Sequence, residues 1–291
     1  MLVLENSELS VELLDPQNDR ALLSPRFCSG GYVRQVYDRT GAPLLARPQP
    51  TGEPFNPDHG QGMPEGFSRS PGSDSVPHGE PLLVLGVGEL TSHRESRARA
   101  GTVHTVAFSH WPIHRREAAI EMRTRHEYQD RVIEIERIVE LHGRRLSSTT
   151  VLRNLSHLPL AFQWFARPIF PLSRSGEICS FIDEPIFLDN HPHFTRTGSR
   201  TVAAQAPPEI ADGAYARVGL PESCERLEAH LPHDAIGEVA MRTDFRPYHL
   251  PVWVNAVACS LQPYYQHVVI AGLEERWSLE YTFGPRDPRA S

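Results

Sequence analysis

The sequence predicts a large antiparallel β-sandwich, all-β and built as a single unit over residues 1–291. Three observations carry that prediction. Apolar and polar residues alternate along many short runs, which is the period of a half-buried strand. The chain holds 26 prolines, roughly twice the usual share, and proline breaks long helices. No segment sustains helical periodicity beyond a couple of turns, so crossover helices between parallel strands are missing and the strands must pair antiparallel.

The clearest element is the last. Trp277, Leu279, Tyr281 and Phe283 point one way, while Arg276, Ser278, Glu280 and Thr282 point the other. Ile133, Ile135, Val139 and Leu141 share a face opposed by Glu134, Glu136 and Glu140. Further strands are expected at 10–14, 31–37, 82–90, 103–111, 119–128, 146–154, 160–167 and 252–261. Asp38-Arg39-Thr40-Gly41 and His142-Gly143 read as hairpin turns between such runs. Two stretches break the rhythm and are expected to be strand-poor: 47–81, with eight prolines and six glycines, and 170–209. A loop as long as the first is usually functional or disordered. Its Asn56, Asp58, His59, Gln61, Glu65 and Phe67 suit polar ligand contacts. No internal repeat is evident.

Composition narrows the function. Apolar residues make up 40% of the chain, enough for a substantial core, and 29 basic against 36 acidic residues leave a net charge of −7. That balance argues against a nucleic-acid or anionic-membrane partner, which calls for a basic face. Every basic residue is arginine and none is lysine. Schiff-base, lysine-base and P-loop chemistry are therefore excluded, and any anion must be held by guanidinium groups. There is no long apolar run and no charged leader ahead of one. Cys28, Cys179, Cys224 and Cys259 are far apart and are expected as free thiols. A cytoplasmic protein, monomeric or homodimeric, is the expectation.

Familiar catalytic signatures are missing. Asp189-Asn190-His191-Pro192-His193 lacks a third ligand at a characteristic spacing and reads as a solvated loop. His110 and His114 flank Pro112, which forbids the helix that would align them. No G-x-S-x-G elbow occurs, and Ser68 is a loop serine. Cys28 has no following helix start to lower its pKa and reads as a small buried hydrophobe. Arg94, Arg97 and Arg99 read as a solvated turn. No cofactor or metal is expected.

Two strand-end segments remain. One is "VLRNLSHLPLAFQWFARPIF" (151–170), a hairpin returning into a strand with an aromatic, polar end. The other is "ACSLQPYY" (258–265), which delivers one amide side chain just before proline stops the strand. Trp164, Tyr264 and Tyr265 would suit sugar-ring faces, although aromatic core packing is the commoner explanation for such residues. These segments resemble the aldose 1-epimerase (galactose mutarotase-like) family. "AGLEERWSLEYTF" (271–283) resembles its closing strand, and "LLSPRFCSGGYVRQVYDRTGAPLL" (22–45) resembles its first β-meander. The resemblance runs from about residue 8 to 284 and implies the family's large β-sandwich. It also implies a small-molecule sugar partner and interconversion of hexose anomers, with a glutamate as base and a histidine as acid.

The chain departs from that pattern at both central positions. Arg167 aligns with the family's acidic histidine and Gln262 with its glutamate base. An amide cannot accept the proton and a guanidinium cannot deliver one. His59 in "DHGQGMPEGF" (58–67) is the counterpart of a second, loop histidine, so the expected catalytic set is Arg167, Gln262 and His59. Glu65, His78 and His267 are further titratable candidates. Arg26, Gln61, Glu65, Trp164 and Tyr264 are the expected substrate contacts. Two functions follow: an epimerase-type isomerase with rearranged acid–base groups, or a non-catalytic carbohydrate-binding relative. Arg167 would suit a phosphorylated or acidic sugar in the second case. A lyase or hydrolase for acidic glycans is a third, weaker reading, because no spacing shows the tyrosine or carboxylate pair it needs.

Overall fold

Strict alternation builds the largest sheet. Along Glu274–Phe283, Trp277, Leu279, Tyr281 and Phe283 are buried and the residues between them are partly exposed. A neighbouring hairpin, Arg131–His142 with Arg145–Asn154, buries Ile133, Ile135, Val139 and Leu141. The two strands pair from Ile133↔Asn154 to His142↔Arg145. A two-residue turn with Gly143 at φ +56° closes them, a conformation glycine adopts without cost. In a computed structural model, which describes residues 1–49, 52–69, 71, 80–94, 102–182, 186–187 and 191–284, these strands sit near the middle of a ten-stranded antiparallel sheet. Its order is Phe194–Thr197, Thr201–Ala204, Glu177–Phe181, Glu228–His233, Gly237–Thr243, Glu274–Phe283, Arg145–Asn154, Arg131–His142, Ala119–Tyr128 and Ile113–Arg115.

A second layer covers the apolar face. The three-stranded sheet of Tyr264–Val269, Leu160–Ala166 and Glu65–Phe67 turns Phe162 and Trp164 inward. Phe162 stacks on Trp277 at 4.9 Å between ring centroids, and Trp164 meets the same indole edge-on at 5.7 Å. Beside it lies a five-stranded sheet in the order Phe170–Pro171, Ala258–Leu261, Pro251–Val254, Ala214–Gly219 and Ile186–Phe187. Two three-stranded sheets, one of Leu2–Glu5, Leu9–Leu13 and Val33–Asp38 and one of Leu82–Val84, Gly88–Arg94 and Thr102–Phe108, complete the described strands. The only helical pieces among the described residues are the 3-10 turns Arg20–Leu22 and Pro57–His59. The all-β sandwich expected from alternation and proline content is the fold observed.

Three expectations need correction. The run 82–90 is two strands, because Gly86 at φ +74° and Gly88 at φ +138° turn the chain between Leu82–Val84 and Gly88–Arg94. The run 252–261 is also two, folded at Asn255, whose Oδ1 accepts the N–H groups of Val257 and Ala258. The stretch 170–209 is not strand-poor: Glu177–Phe181, Phe194–Thr197 and Thr201–Ala204 form one edge of the large sheet. These strands are too short for alternation to show. The four cysteines are buried and free. No described helix is long and apolar enough to cross a membrane.

Candidate functional site

The site grows from the register of two strands. Phe165 stands opposite Tyr264, and their rings stack at 5.4 Å with 22° between planes. The next step is held by the Ala166 N–H, which donates to the Pro263 carbonyl at 3.1 Å. Arg167 and Gln262 flank this last paired step, the Arg167 N–H donating to the Pro64 carbonyl at 2.8 Å and the Gln262 N–H to the Pro251 carbonyl at 2.9 Å. Side chains two residues apart share a face, so both follow the stacked aromatic pair on the face turned away from the large sheet. Phe27 and Tyr32 extend the aromatic wall, Phe27 lying 6.2 Å from each of Phe165 and Tyr32.

Arg167 and Gln262 are each only 2% exposed. The guanidinium lies over the Trp253 ring at 5.1 Å. Arg167 Nε and Nη1 and Gln262 Nε2 have no hydrogen-bond partner, although buried polar groups are almost always paired. Burial holds the Arg167 guanidinium below its usual pKa, and the Arg26 charge adds to that, while Tyr215, Tyr264 and Tyr32 counter it. Those neighbours mark the mouth: Arg26 is exposed, Tyr215 is 42% exposed and Tyr264 is half-buried. Burial also raises the Tyr264 phenol and pushes Tyr32 up to about 12.

The loop of the first proline-rich stretch closes one side. Asn56 Oδ1 accepts the Asp58 N–H at 3.0 Å and starts the turn Pro57–His59. Gly62, at φ +76°, lies against the backbone of Val33 and Arg34, where any Cβ would collide. Met63 N–H then donates to the Val33 carbonyl at 2.8 Å. Gln61 N–H donates to Tyr32 Oη at 3.1 Å, and Arg26 Nη1 donates to the Asp58 carbonyl at 3.1 Å. His59 Nδ1 lies 3.0 Å from Gln49 Nε2, and its Nε2 lies 3.5 Å from Asp212 Oδ1. Asp212 also accepts Trp253 Nε1–H through its backbone carbonyl at 2.7 Å. Trp253 therefore links the His59 side of the site to the Arg167 side.

Of the expected residues, Arg167, Gln262, Tyr264, Arg26, His59 and Gln61 are brought to one region of the fold, Arg167 and Gln262 buried and Arg26 exposed. Two are not. Trp164 is 1% exposed and packs in the core against Trp277 and Phe245, because even-numbered residues of Leu160–Ala166 face inward. Glu65 also faces inward. Its carboxylate pairs with the buried Arg137 at 2.6 Å and accepts from Ser148 Oγ at 2.7 Å. Tyr265 likewise packs on Trp277 and donates to Glu275 at 2.6 Å, and His267 stands beside that same glutamate, opposite Phe162. His78, Arg97, Arg99, Asp189 and Asn190 lie outside the described residues. His193 Nδ1 lies 2.7 Å from the Ala206 carbonyl, and no described group of three His, Cys, Asp or Glu side chains is placed to hold a metal. Phe165, Trp253, Tyr215, Tyr32 and His249 were not anticipated. For Phe165 the signal was present, since its odd position shares a face with Arg167.

Solved structures share this architecture. A galactose mutarotase related enzyme from Lactobacillus acidophilus superposes with a TM-score of 0.60 at 11% identity, over 98% of this chain and 97% of the other. A galactose mutarotase-like protein from Lactobacillus casei gives 0.59 at 12% identity, over 97% and 99%. Another from Clostridium acetobutylicum gives 0.56 at 10% identity, over 98% and 95%. The fold is thus that of the galactose mutarotase-like β-sandwiches. No family model matches the sequence, and no curated protein matches it.

Proposed function

We propose that the protein binds a hexose or a related sugar between Arg167 and Gln262. The observation that carries this reading is the set of buried, unpartnered N–H donors on Arg167 and Gln262 beside the stacked Phe165 and Tyr264 rings. Sugar hydroxyl oxygens accept from such donors, while sugar C–H groups pack on aromatic faces. The names of the similar structures, galactose mutarotase related and galactose mutarotase-like, support a hexose as the ligand class. Neither Arg167 nor Gln262 can exchange a proton near neutrality. The favoured reading is therefore carbohydrate binding without turnover at these two positions.

A second reading, an aldose 1-epimerase-type isomerase, draws on one contact. His59 Nε2 lies 3.5 Å from the Asp212 carboxylate on the Trp253 side of the site. Such a pair suits proton transfer to a ring oxygen. Titration calorimetry with glucose, galactose and hexose 6-phosphates, joined to exchange NMR of their anomeric protons, separates the readings. Binding without accelerated exchange supports the first. Accelerated exchange lost in His59→Gln supports the second. Absence of both binding and exchange for the whole panel rejects the sugar proposal.

A further inference from the structure

We propose that the sugar site is flanked by a cationic groove, formed by Arg217 and Arg246 beside His249, that holds the oxyanion of an acidic saccharide. This rests on the sugar-binding reading and names the chemistry of the part of the ligand beyond Arg167. The groove has a volume of about 480 Å³, within the range of small-molecule sites. No carboxylate lines it, and burial keeps His249 neutral. Arg217 and Arg246 are exposed and form no ion pair with a described carboxylate. Arg246 Nη2 donates to the Leu220 carbonyl at 3.2 Å, which fixes that guanidinium at the groove wall. On a chain of net charge −7, a concave surface bearing only positive charge runs against the overall balance.

Proximity to the sugar site follows from backbone pairing. Tyr264 N–H donates to the His249 carbonyl at 3.0 Å, and Tyr248 N–H donates to the Tyr264 carbonyl at 3.1 Å. The His249 and Tyr264 rings lie 5.1 Å apart, and Tyr248 meets Tyr264 edge-on at 6.2 Å. Along Ala214–Gly219, Tyr215 and Arg217 are exposed on the same face. Tyr215 lies 6.5 Å from Trp253, whose indole carries Arg167. Arg217 stands opposite Pro251, whose carbonyl accepts the Gln262 N–H at 2.9 Å, so it lies level with Gln262 and two strands away, about 10 Å. Two guanidinium forks at that distance match a carboxylate or a phosphate, which accepts paired N–H bonds. The contrast with another groove is instructive. The cavity of about 660 Å³ beside Arg145, Arg226 and Arg242 is also lined by Glu228, Asp244 and Glu280, so its charge is balanced.

Titration calorimetry on the full chain tests the groove with four probes: glucose, cellobiose, glucose 6-phosphate and a glucuronate-containing disaccharide. At low salt at least one anionic probe is expected to bind about tenfold tighter than its neutral counterpart. Added salt erodes the gain, and the double variant Arg217→Ala/Arg246→Ala abolishes it without weakening the neutral probe. A gain with the disaccharide assigns the oxyanion to a second sugar unit; a gain with glucose 6-phosphate assigns it to the sugar's own phosphate. Neutral probes that bind equally well, or a gain the double variant keeps, overturn the groove and leave the sugar site standing. If no probe binds, both fall together.

Discussion

Replacing Arg167 by methionine should make the protein more stable and remove its ligand affinity. The native side chain is buried with two N–H groups unpartnered and no carboxylate among the charges acting on it. Each unmet buried donor costs about 1–3 kcal/mol. Against this, the contact with the Trp253 ring at 5.1 Å contributes about 1–2 kcal/mol. Methionine keeps an unbranched stem against the indole and carries no charge to desolvate. Two such donors outweigh that contact, so the balance favours Arg167→Met by up to about 5 kcal/mol, a pattern typical of sites held ready for a ligand. Urea unfolding followed by tryptophan fluorescence measures the change, and sugar titration on the same sample measures the lost affinity. A variant destabilised by about 2 kcal/mol or more would show that Arg167 serves the fold, and the reasoning would be refuted.

Other expectations follow from the same contacts. The double variant Gln262→Glu/Arg167→His restores a carboxylate and an imidazole to the strand ends and should raise anomer exchange by NMR; an unchanged rate in a folded variant would misplace the acid–base positions. Glu65→Gln leaves the Arg137 charge unpaired in the core and should cost about 3–5 kcal/mol in urea unfolding. Sugar affinity should be unchanged in that variant, since Glu65 faces away from the cleft. Burial lowers His126 from 6.5 to about 4. Its unfolded form therefore takes up a proton first as pH falls, so stability is intact above 6.5 and drops by up to about 3 kcal/mol toward 4. Unfolding midpoints across that window should fall less steeply in His126→Gln.

Much of the fold was legible because burial follows parity. Trp277 to Phe283 and Ile133 to Leu141 declared their inner faces by alternation alone, and the Gly143 turn declared its hairpin. Short edge strands such as Phe194–Thr197 were not legible, since four residues give alternation too little length to register. The site was half legible. Arg167 and Gln262 stand at ends of strands that the sequence marked. The indole of Trp164 suits a sugar face by residue type, but parity turns Phe165, not Trp164, toward Arg167. The inward turn of Glu65 is not legible in the sequence, because its partner, Arg137, is remote and sits on an otherwise apolar face. Trp253, Tyr215 and Asp212 reach the cleft only through tertiary packing, helped by Gly213 at φ +62°, where any Cβ would strike the Trp253 indole.

The most direct test is a crystal structure of the protein soaked with the best-binding sugar from the titration panel. The sugar-binding proposal predicts sugar hydroxyl oxygens within hydrogen-bonding distance of Arg167 Nη1 and Gln262 Nε2, with a ring face against Tyr264 or Phe165. A sugar bound elsewhere, with those donors untouched, would contradict it.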